Sequence, residues 1–541
     1  MKMKYKFIVP LLLMMWAVCA SAQKNEVISV IKKEIDRNME QLRIDKLKPP
    51  FFINYNLIDT KRLQINAVLG SVAVVREHNL RNGAPKVLVG DYNRNNTNFR
   101  NPYNYYRYVS RENSGLTVPV WADVDRMYKN AAENYEAKMA VIAQQKLDEE
   151  DLNLPDFDKV ESVSLIIDPA KTMSEKAFWE NYAVKSSAIV KKYPDILESS
   201  VEVVVRNSMQ YICNTENTEI AMPDTYYQVR MHLSTITGDG QSIDQSLQIA
   251  HTTFEQMPAL QQFIDTCEIF IRKFIELSQA PMLQESYCGP VLFEGQAVPE
   301  ILQSQISVLY ARRASVERSG SGNNMEMMKD KKVMSRALSL KSLSGTESYK
   351  GKKLDGYYPV DNEGVKPDKE LTLIENGVLK NMLNGRTPTK KFPRSNGHCR
   401  HTFDSHNNQI IPGNILCTSN ITFSPVEIRK KLLAAAKEED LEYAYVVRNS
   451  TGTSPREIYR VYVSDGREER VSGVSLPDLN LKSFKRIVGT SDQEYFYTTG
   501  AHGALVTYIV PDAILFEELE VTKNNAQLKA PFIVAKPEVT K

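Results

Sequence analysis

The stretch GHCRHTFDSH, residues 397–406, gathers more metal-ligating side chains than any other part of the chain. His398, His401 and His406 are three of its seven histidines, and Cys399 and Asp404 lie among them. Imidazole nitrogen, thiolate sulfur and carboxylate oxygen are the donors that zinc takes. Their spacing is less favourable. In an extended strand alternate residues share a face, so Cys399 and His401 form half a site, while His398 and Arg400 point the other way. The missing ligands would come from Asp404, His406 or Cys417. The competing reading, preferred on the residues alone, is a polar loop after a strand with exposed histidines. No other nucleophile or phosphate chemistry is legible. SGSGNN at 319–324 lacks the G-x-S-x-G context of a nucleophile elbow. STGTSP at 450–455 lacks the lysine of a phosphate-binding loop.

The elements that must position these residues belong to a long chain. At 541 residues, two or more domains are expected, and 42% apolar with 25% charged residues is the composition of a globular protein. The first 22 residues read as a secretory signal. Lys2, Lys4 and Lys6 precede the apolar run from Phe7 to Ala20, which is shorter than the roughly 20 residues a spanning helix needs. Ala20-Ser21-Ala22 then supplies a cleavage site before Gln23. A periplasmic or extracellular location follows as an expectation. No later segment is apolar and long enough to span a membrane. Losing the three leader lysines leaves 65 of the 68 basic residues against 66 acidic ones, net −1, so no basic excess points to nucleic acid. Five cysteines stay in the mature chain, an odd number with no CxxC pair, and a disulfide framework is not expected.

Periodicity predicts a helix over 25–47, with Ile28, Ile31, Ile35, Met39 and Leu42 on one face and Pro49-Pro50 as its stop. Strands follow from Phe51, with a break expected at Asn82-Gly83. A long helix is predicted over 121–147. Two alternating runs then read as antiparallel strands joined near Thr215-Glu216-Asn217. Another helix ends near Ala280-Pro281. After it, LTLIENGVLKNML reads as a hairpin turning at Asn376-Gly377. The fold class is α+β: a leader (1–22), an N-terminal domain of helices and antiparallel sheet (23–283), and a β-rich C-terminal domain (284–541).

Three stretches carry a family likeness: YCGPVLFEGQAVPEIL (287–302), LTLIENGVLKNMLNGRTPTKKF with the SNGHCR that follows it (371–400), and YIVPDAILFEELEV (508–521). Together they resemble the second half of the TldD/PmbA family, whose TldD branch includes peptide-degrading metallopeptidases. That branch places HExxxH where this chain reads VLFEGQAV. An ungapped overlay puts Phe293 and Val298 at the two histidine positions, and only Glu294 matches, at the place of the general base. Phenylalanine and valine have no lone pair to offer a metal. The family's third ligand, a late cysteine, has no counterpart beyond Cys417.

The resemblance therefore implies the PmbA-like, or TldE-like, branch that lacks the metal motif. It implies a subunit in a homo- or hetero-oligomer, pairing with an HExxxH-bearing relative and binding or gating peptide while the partner cuts. No cofactor is expected. Glu294 reads as a remnant general base. Ser395, Asn396, Gly397 and Arg400 best match the Gly/Arg-rich segment near the family's peptide cleft, where glycine allows close backbone approach and arginine can pair a peptide carboxylate. Two alternatives stay open. One is a stand-alone metallopeptidase binding zinc through Cys399, His401 and His406. The other is a non-enzymatic exported binding protein that keeps the fold.

Overall fold

The structure, a computed structural model, describes residues 25–100, 107–145, 149–237, 240, 242–317, 324–402, 408–449, 457–501 and 503–523. The leader at 1–22, Asp404 and His406 lie outside the described residues.

The N-terminal half is built on one twisted sheet. Its strands are β1 (Pro50–Val68), β2 (Ser71–Val89), β3 (Arg107–Tyr108), β4 (Ser164–Ile166), β5 (Glu198–Asn214), β6 (Glu219–Ile236) and β7 (Ser242–His251). The order is β3-β2-β1-β5-β6, and the outer edge of β6 takes parallel β4 near one end and antiparallel β7 along the other. Alternation gives this sheet two different faces. Odd-numbered residues such as Tyr55, Leu57, Ile65, Val203, Val205 and Tyr211 are apolar and buried. Four helices cover that face. Glu26–Gln41 and Thr117–Gln144 bring Ile31, Ile35, Val124 and Tyr128 onto one end. Lys176–Ala188 and Leu260–Ser278 bring Trp179, Tyr182, Phe263 and Ile271 onto the other. The even-numbered residues of the opposite face include Asn54, Asn56, Arg206, Ser208, Gln210 and Asp224. They look towards the C-terminal half.

Two expectations need correction here. The first helix stops at Gln41 rather than 47, and the Arg43 guanidinium donates to the carbonyls of Met39 in its last turn and of Leu42 at its C-cap. Asn82-Gly83 is no break. Both residues lie inside β2, paired with Ile58 and Leu57, and the turn falls at Leu69-Gly70 instead. The glycine serves a close approach: a Cβ at Gly83 would lie 2.0 Å from Tyr55 Oη. The Tyr55 ring crosses this gap so that its hydroxyl reaches Asp123 Oδ2 at 2.9 Å.

The C-terminal half packs two further sheets around a large apolar core. In the larger, β8 (Tyr287–Glu294) runs between Tyr443–Asn449, parallel to it, and Ala513–Lys523, antiparallel. In the other, β9 (Leu338–Ser342) lies between Leu371–Glu375 and Asn414–Ser419. The helix Ala297–Ile306 is wedged between the sheets and buries Val298 and Leu302. A second helix, Pro425–Glu438, covers the outer face and begins with a capping box between Ser424 and Glu427. The hairpin at Asn376-Gly377 forms as its sequence requires, with φ of 45° and 75° at the two turn residues. Cys213, Cys267, Cys288, Cys399 and Cys417 are all free thiols, and Cys288 is the exposed one among them.

Candidate functional site

The two positions that the resemblance aligns with metal-binding histidines are apolar and sealed in the core. Phe293 is fully buried with its ring edge-on to Phe516, at 5.3 Å between centroids, and Val298 is fully buried on the neighbouring helix. Glu294 lies at the end of β8 and points into a charge network. Arg429 donates to both its oxygens, Nε to Oε1 and Nη2 to Oε2, each at 2.9 Å. Arg448 Nε adds a third bond at 3.2 Å. Both arginines also bind Glu468. Burial would raise the Glu468 pKa, but the bonds from the two guanidiniums outweigh it and hold the carboxyl below its usual range. Glu294 is thus one of the two acids of a structural ion-pair ring. A catalytic zinc does not fit here, since the side chains at the two ligand positions, Phe293 and Val298, carry no donor atom, and Glu294 at the general-base position is held by two arginines.

The 395–401 segment divides its residues between two environments. Ser395 N–H donates to Asp158 Oδ2 at 2.9 Å. Asn396 Oδ1 accepts from Asn384 N–H at 2.8 Å, so it is the carbonyl oxygen. It lies 2.9 Å from His398 Nδ1, which must therefore carry the proton and donate. His398 Nε2 is left to accept from Ser342 Oγ at 2.8 Å, with Ser344 Oγ at 3.2 Å. This serine–histidine–asparagine trio has the connectivity of a hydrolase triad. Its His398, Ser342 and Ser344 are each fully buried, however, so no substrate reaches the hydroxyl. Burial, with Arg400 adding to it, pushes the His398 pKa down to about 3 and keeps the ring neutral. Gly397 sits at φ +75°, and a Cβ there would lie 2.7 Å from Pro367 N. Cys399 is buried beside Glu363 and Asp361, and burial with those acids raises its thiol well above the usual range. Among the described residues, no group of three or more His, Cys, Asp and Glu side chains could hold a metal ion.

Arg400 and His401 face elsewhere. They line a cleft of about 340 Å³ between the polar face of the N-terminal sheet and the C-terminal half. One wall brings Arg206 and Gln210 from β5 and Asp224 and Tyr226 from β6. The other brings Asp355, Tyr358 and Asn362 with Arg400 and His401. A polar chain fixes the walls to each other. Asn56 Nδ2 donates to Asn362 O, Asn362 Nδ2 to Gln210 Oε1 at 2.8 Å, and Gln210 Nε2 to Asp224 Oδ2 at 2.9 Å. Asn362 Oδ1 accepts the His401 N–H at 2.8 Å, which holds the Cys399–His401 strand against this chain. Of the sequence-singled residues, the cleft collects Arg400 and His401, whereas Ser395, Asn396 and Gly397 build the ledge behind them. Cys399 faces the acid pair instead.

Comparison with known proteins places this arrangement. Residues 285–523 match the PmbA/TldA metallopeptidase C-terminal domain. Solved structures match over nearly the full length of both chains. One is a candidate modulator of DNA gyrase from Thermotoga maritima, 15% identical, with a TM-score of 0.56 over 87% of this chain and 96% of that one. TldE from Thermococcus kodakarensis is 10% identical, with a TM-score of 0.55 over 91% and 99%. A candidate gyrase modulator from Bacteroides thetaiotaomicron is 11% identical, with a TM-score of 0.57 over 92% and 98%. Residues 285–523 thus carry the C-terminal domain of the PmbA/TldA metallopeptidase family, and the whole chain has the fold of these solved structures. No curated protein sequence matches it. At these identities the solved TldD/PmbA-like structures carry the fold alone, and the α+β class expected from the sequence is the one found.

The N-terminal wall of the cleft was not anticipated from the sequence. Its signal was present in β5, where Arg206, Ser208 and Gln210 occupy alternate positions while Val201, Val203, Val205, Met209 and Tyr211 line the other face. A polar stripe opposite a mainly apolar one marks a sheet face that meets something other than a hydrocarbon core.

Proposed function

We propose that this chain is an exported, TldE-like subunit that binds peptide in the cleft between its halves while a metal-bearing relative performs the cut. One observation carries the reading: the two positions aligned with metal-binding histidines are Phe293 and Val298, both sealed in the core, and Glu294 between them is spent on Arg429 and Arg448. A structural-quality zinc site is worth about 10 kcal/mol or more, and hydrocarbon at two ligand positions removes it. The cleft is the feature suited to substrate. It is concave, mixes apolar and polar lining, and presents Arg206, Gln210, Asn362 and Arg400 to a chain of backbone amides and carboxylates.

Two measurements test this. The mature protein is purified alone and beside a co-expressed HExxxH-bearing relative, and bound metal and chelator-sensitive peptidase activity are measured in both. The expected result is metal and activity only in the co-purified pair. Stoichiometric zinc in the chain alone, lost on His401→Ala, would overturn the reading in favour of a stand-alone enzyme. Export is tested by N-terminal sequencing of protein from the cell envelope or medium, expected to begin at Gln23.

A further inference from the structure

Arg400 is a half-buried cation with no carboxylate of the described residues within ion-pair distance. Its Nη1 donates to the backbone carbonyls of Pro412 at 2.9 Å and Leu505 at 3.1 Å, and its guanidinium lies 4.5 Å from the centroid of the Tyr358 ring. These contacts fix its plane, and Asp224 acts on its charge only from beyond ion-pair distance, being paired with Arg206. The acids of the cleft are engaged elsewhere. Asp224 gives Oδ1 to Arg206 at 3.1 Å and Oδ2 to Gln210 at 2.9 Å. Asp355 accepts from Thr252 N–H and faces His251 Nδ1, at 2.8 and 2.9 Å. Glu347 is exposed at the rim. Burial, with Arg206 acting in the same sense, lowers the Arg400 pKa, yet a guanidinium keeps its proton at physiological pH. The cost of holding that charge is instead relieved when an anion arrives.

We propose that Arg400 is the receptor for a carboxylate of the bound peptide, and that the cleft therefore selects peptides presenting a carboxylate at that point. A planar guanidinium fixed by its backbone bonds and an aromatic ring suits a planar carboxylate better than a phosphate or a neutral amide. The committed Asp224 matters as much. An acid free to swing onto Arg400 would compete with the ligand, whereas Asp224 is held back by Arg206 and Gln210. This inference rests on the cleft being the peptide site. The carboxylate has two chemical sources, the C-terminus of a peptide or an acidic side chain within it.

The test uses the full mature chain and an N-terminally labelled neutral pentapeptide in three forms: free acid, C-terminal amide, and an amide with one residue replaced by glutamate. Binding is read by fluorescence anisotropy, with acetate as a competitor that needs no variant. Charge-assisted hydrogen bonds predict about tenfold or greater preference for a carboxylate-bearing form over the neutral amide, and weakening by acetate. The difference should vanish in Arg400→Gln and be only partly restored in Arg400→Lys, which keeps charge without the planar fork. Preference for the free acid assigns the C-terminus, and preference for the glutamate form assigns a side chain. Equal binding of acid and amide to the unaltered protein overturns this inference and leaves peptide binding standing. No binding of any form overturns both.

Discussion

Replacing Glu294 by glutamine separates a structural acid from a catalytic one. The substitution preserves shape and removes one negative charge. It also turns one oxygen into an NH2 group facing arginine N–H donors. Glu294 accepts three bonds, two from Arg429 and one from Arg448, and these arginines also bracket Glu468. Charge-assisted bonds are worth about 1.5–3 kcal/mol when buried. The Arg429 side chain is 37% exposed, so solvent screening discounts that range. A loss of about 2 kcal/mol follows for the ring as a whole. For a unit of this size, each kcal/mol lowers Tm by about 2–4 °C, giving a fall of about 4–8 °C. The assay is thermal unfolding followed by circular dichroism, with the same samples measured for peptidase activity beside the metal-bearing relative. Arg429→Gln should produce a loss of similar size, and the double variant should lose less than the sum, because both break one ring. An unchanged Tm with collapsed activity in Glu294→Gln would refute the structural assignment and restore the general-base reading.

Further outcomes follow from the same geometry. Phe293→His with Val298→His should not create a zinc site but should destabilise by more than about 3 kcal/mol, since both side chains are fully buried; metal analysis and urea unfolding read the two effects. Gly397→Ala should cost at least about 2 kcal/mol, because its φ of +75° disfavours a side chain and the new Cβ meets the Lys366–Pro367 backbone; urea midpoints measure it. The folded pKa of His398 is depressed to about 3, so its contribution is fully present above the unfolded value near 6.5. It is lost as pH falls through that window, at up to about 1.4 kcal/mol per unit. The pH slope of stability should flatten by that amount in His398→Gln. A thiol reagent should label Cys288 first in the native mature protein, with Cys213, Cys267, Cys399 and Cys417 reacting only on unfolding, as peptide mapping would show.

Some of this molecule is legible in its sequence and some is not, for physical reasons. The Asn376-Gly377 hairpin is legible because both residues are needed at positive φ, a local requirement. Asn82-Gly83 misleads because the same dipeptide answers a distant demand, room for Tyr55 to cross to Asp123. The histidine-rich stretch has the right atoms for zinc, but which way they face depends on partners far along the chain. Asp361 Oδ2 takes the Cys399 N–H, Asn362 Oδ1 takes the His401 N–H, and Ser342 engages His398. Those contacts span roughly 38 to 56 residues and leave no local pattern. The cleft is harder still, since its walls come from strands in different halves. Only the alternating polar stripe of β5 announces it.

The cleft is held open by interactions that do not belong to it. Arg386 of the C-terminal half donates from Nη1 and Nη2 to the two oxygens of Glu216 on the turn between β5 and β6, each at 2.7 Å. Its guanidinium also lies 4.0 Å from the Phe157 ring centroid and is 1% exposed. Beside it, Lys86 of β2 pairs with Glu363 at 2.8 Å, and Glu363 Oε2 accepts the Arg386 N–H at 2.7 Å. A buried pair such as Arg386–Glu216 contributes little net stability against an apolar alternative, yet costs about 3–5 kcal/mol when one partner is removed, whereas the part-exposed Lys86 is screened by solvent. Their effect is on geometry. They pin the β5–β6 turn to the loop that carries Asn362, and Asn362 in turn sets the height of the Cys399–His401 strand. The two walls therefore meet at a set distance before any ligand arrives. A preformed cleft of this kind spares the ordering cost that a gated one would take from binding. Removing Arg386 should consequently weaken peptide binding through the spacing of Arg206 and Arg400, although Arg386 does not line the cleft.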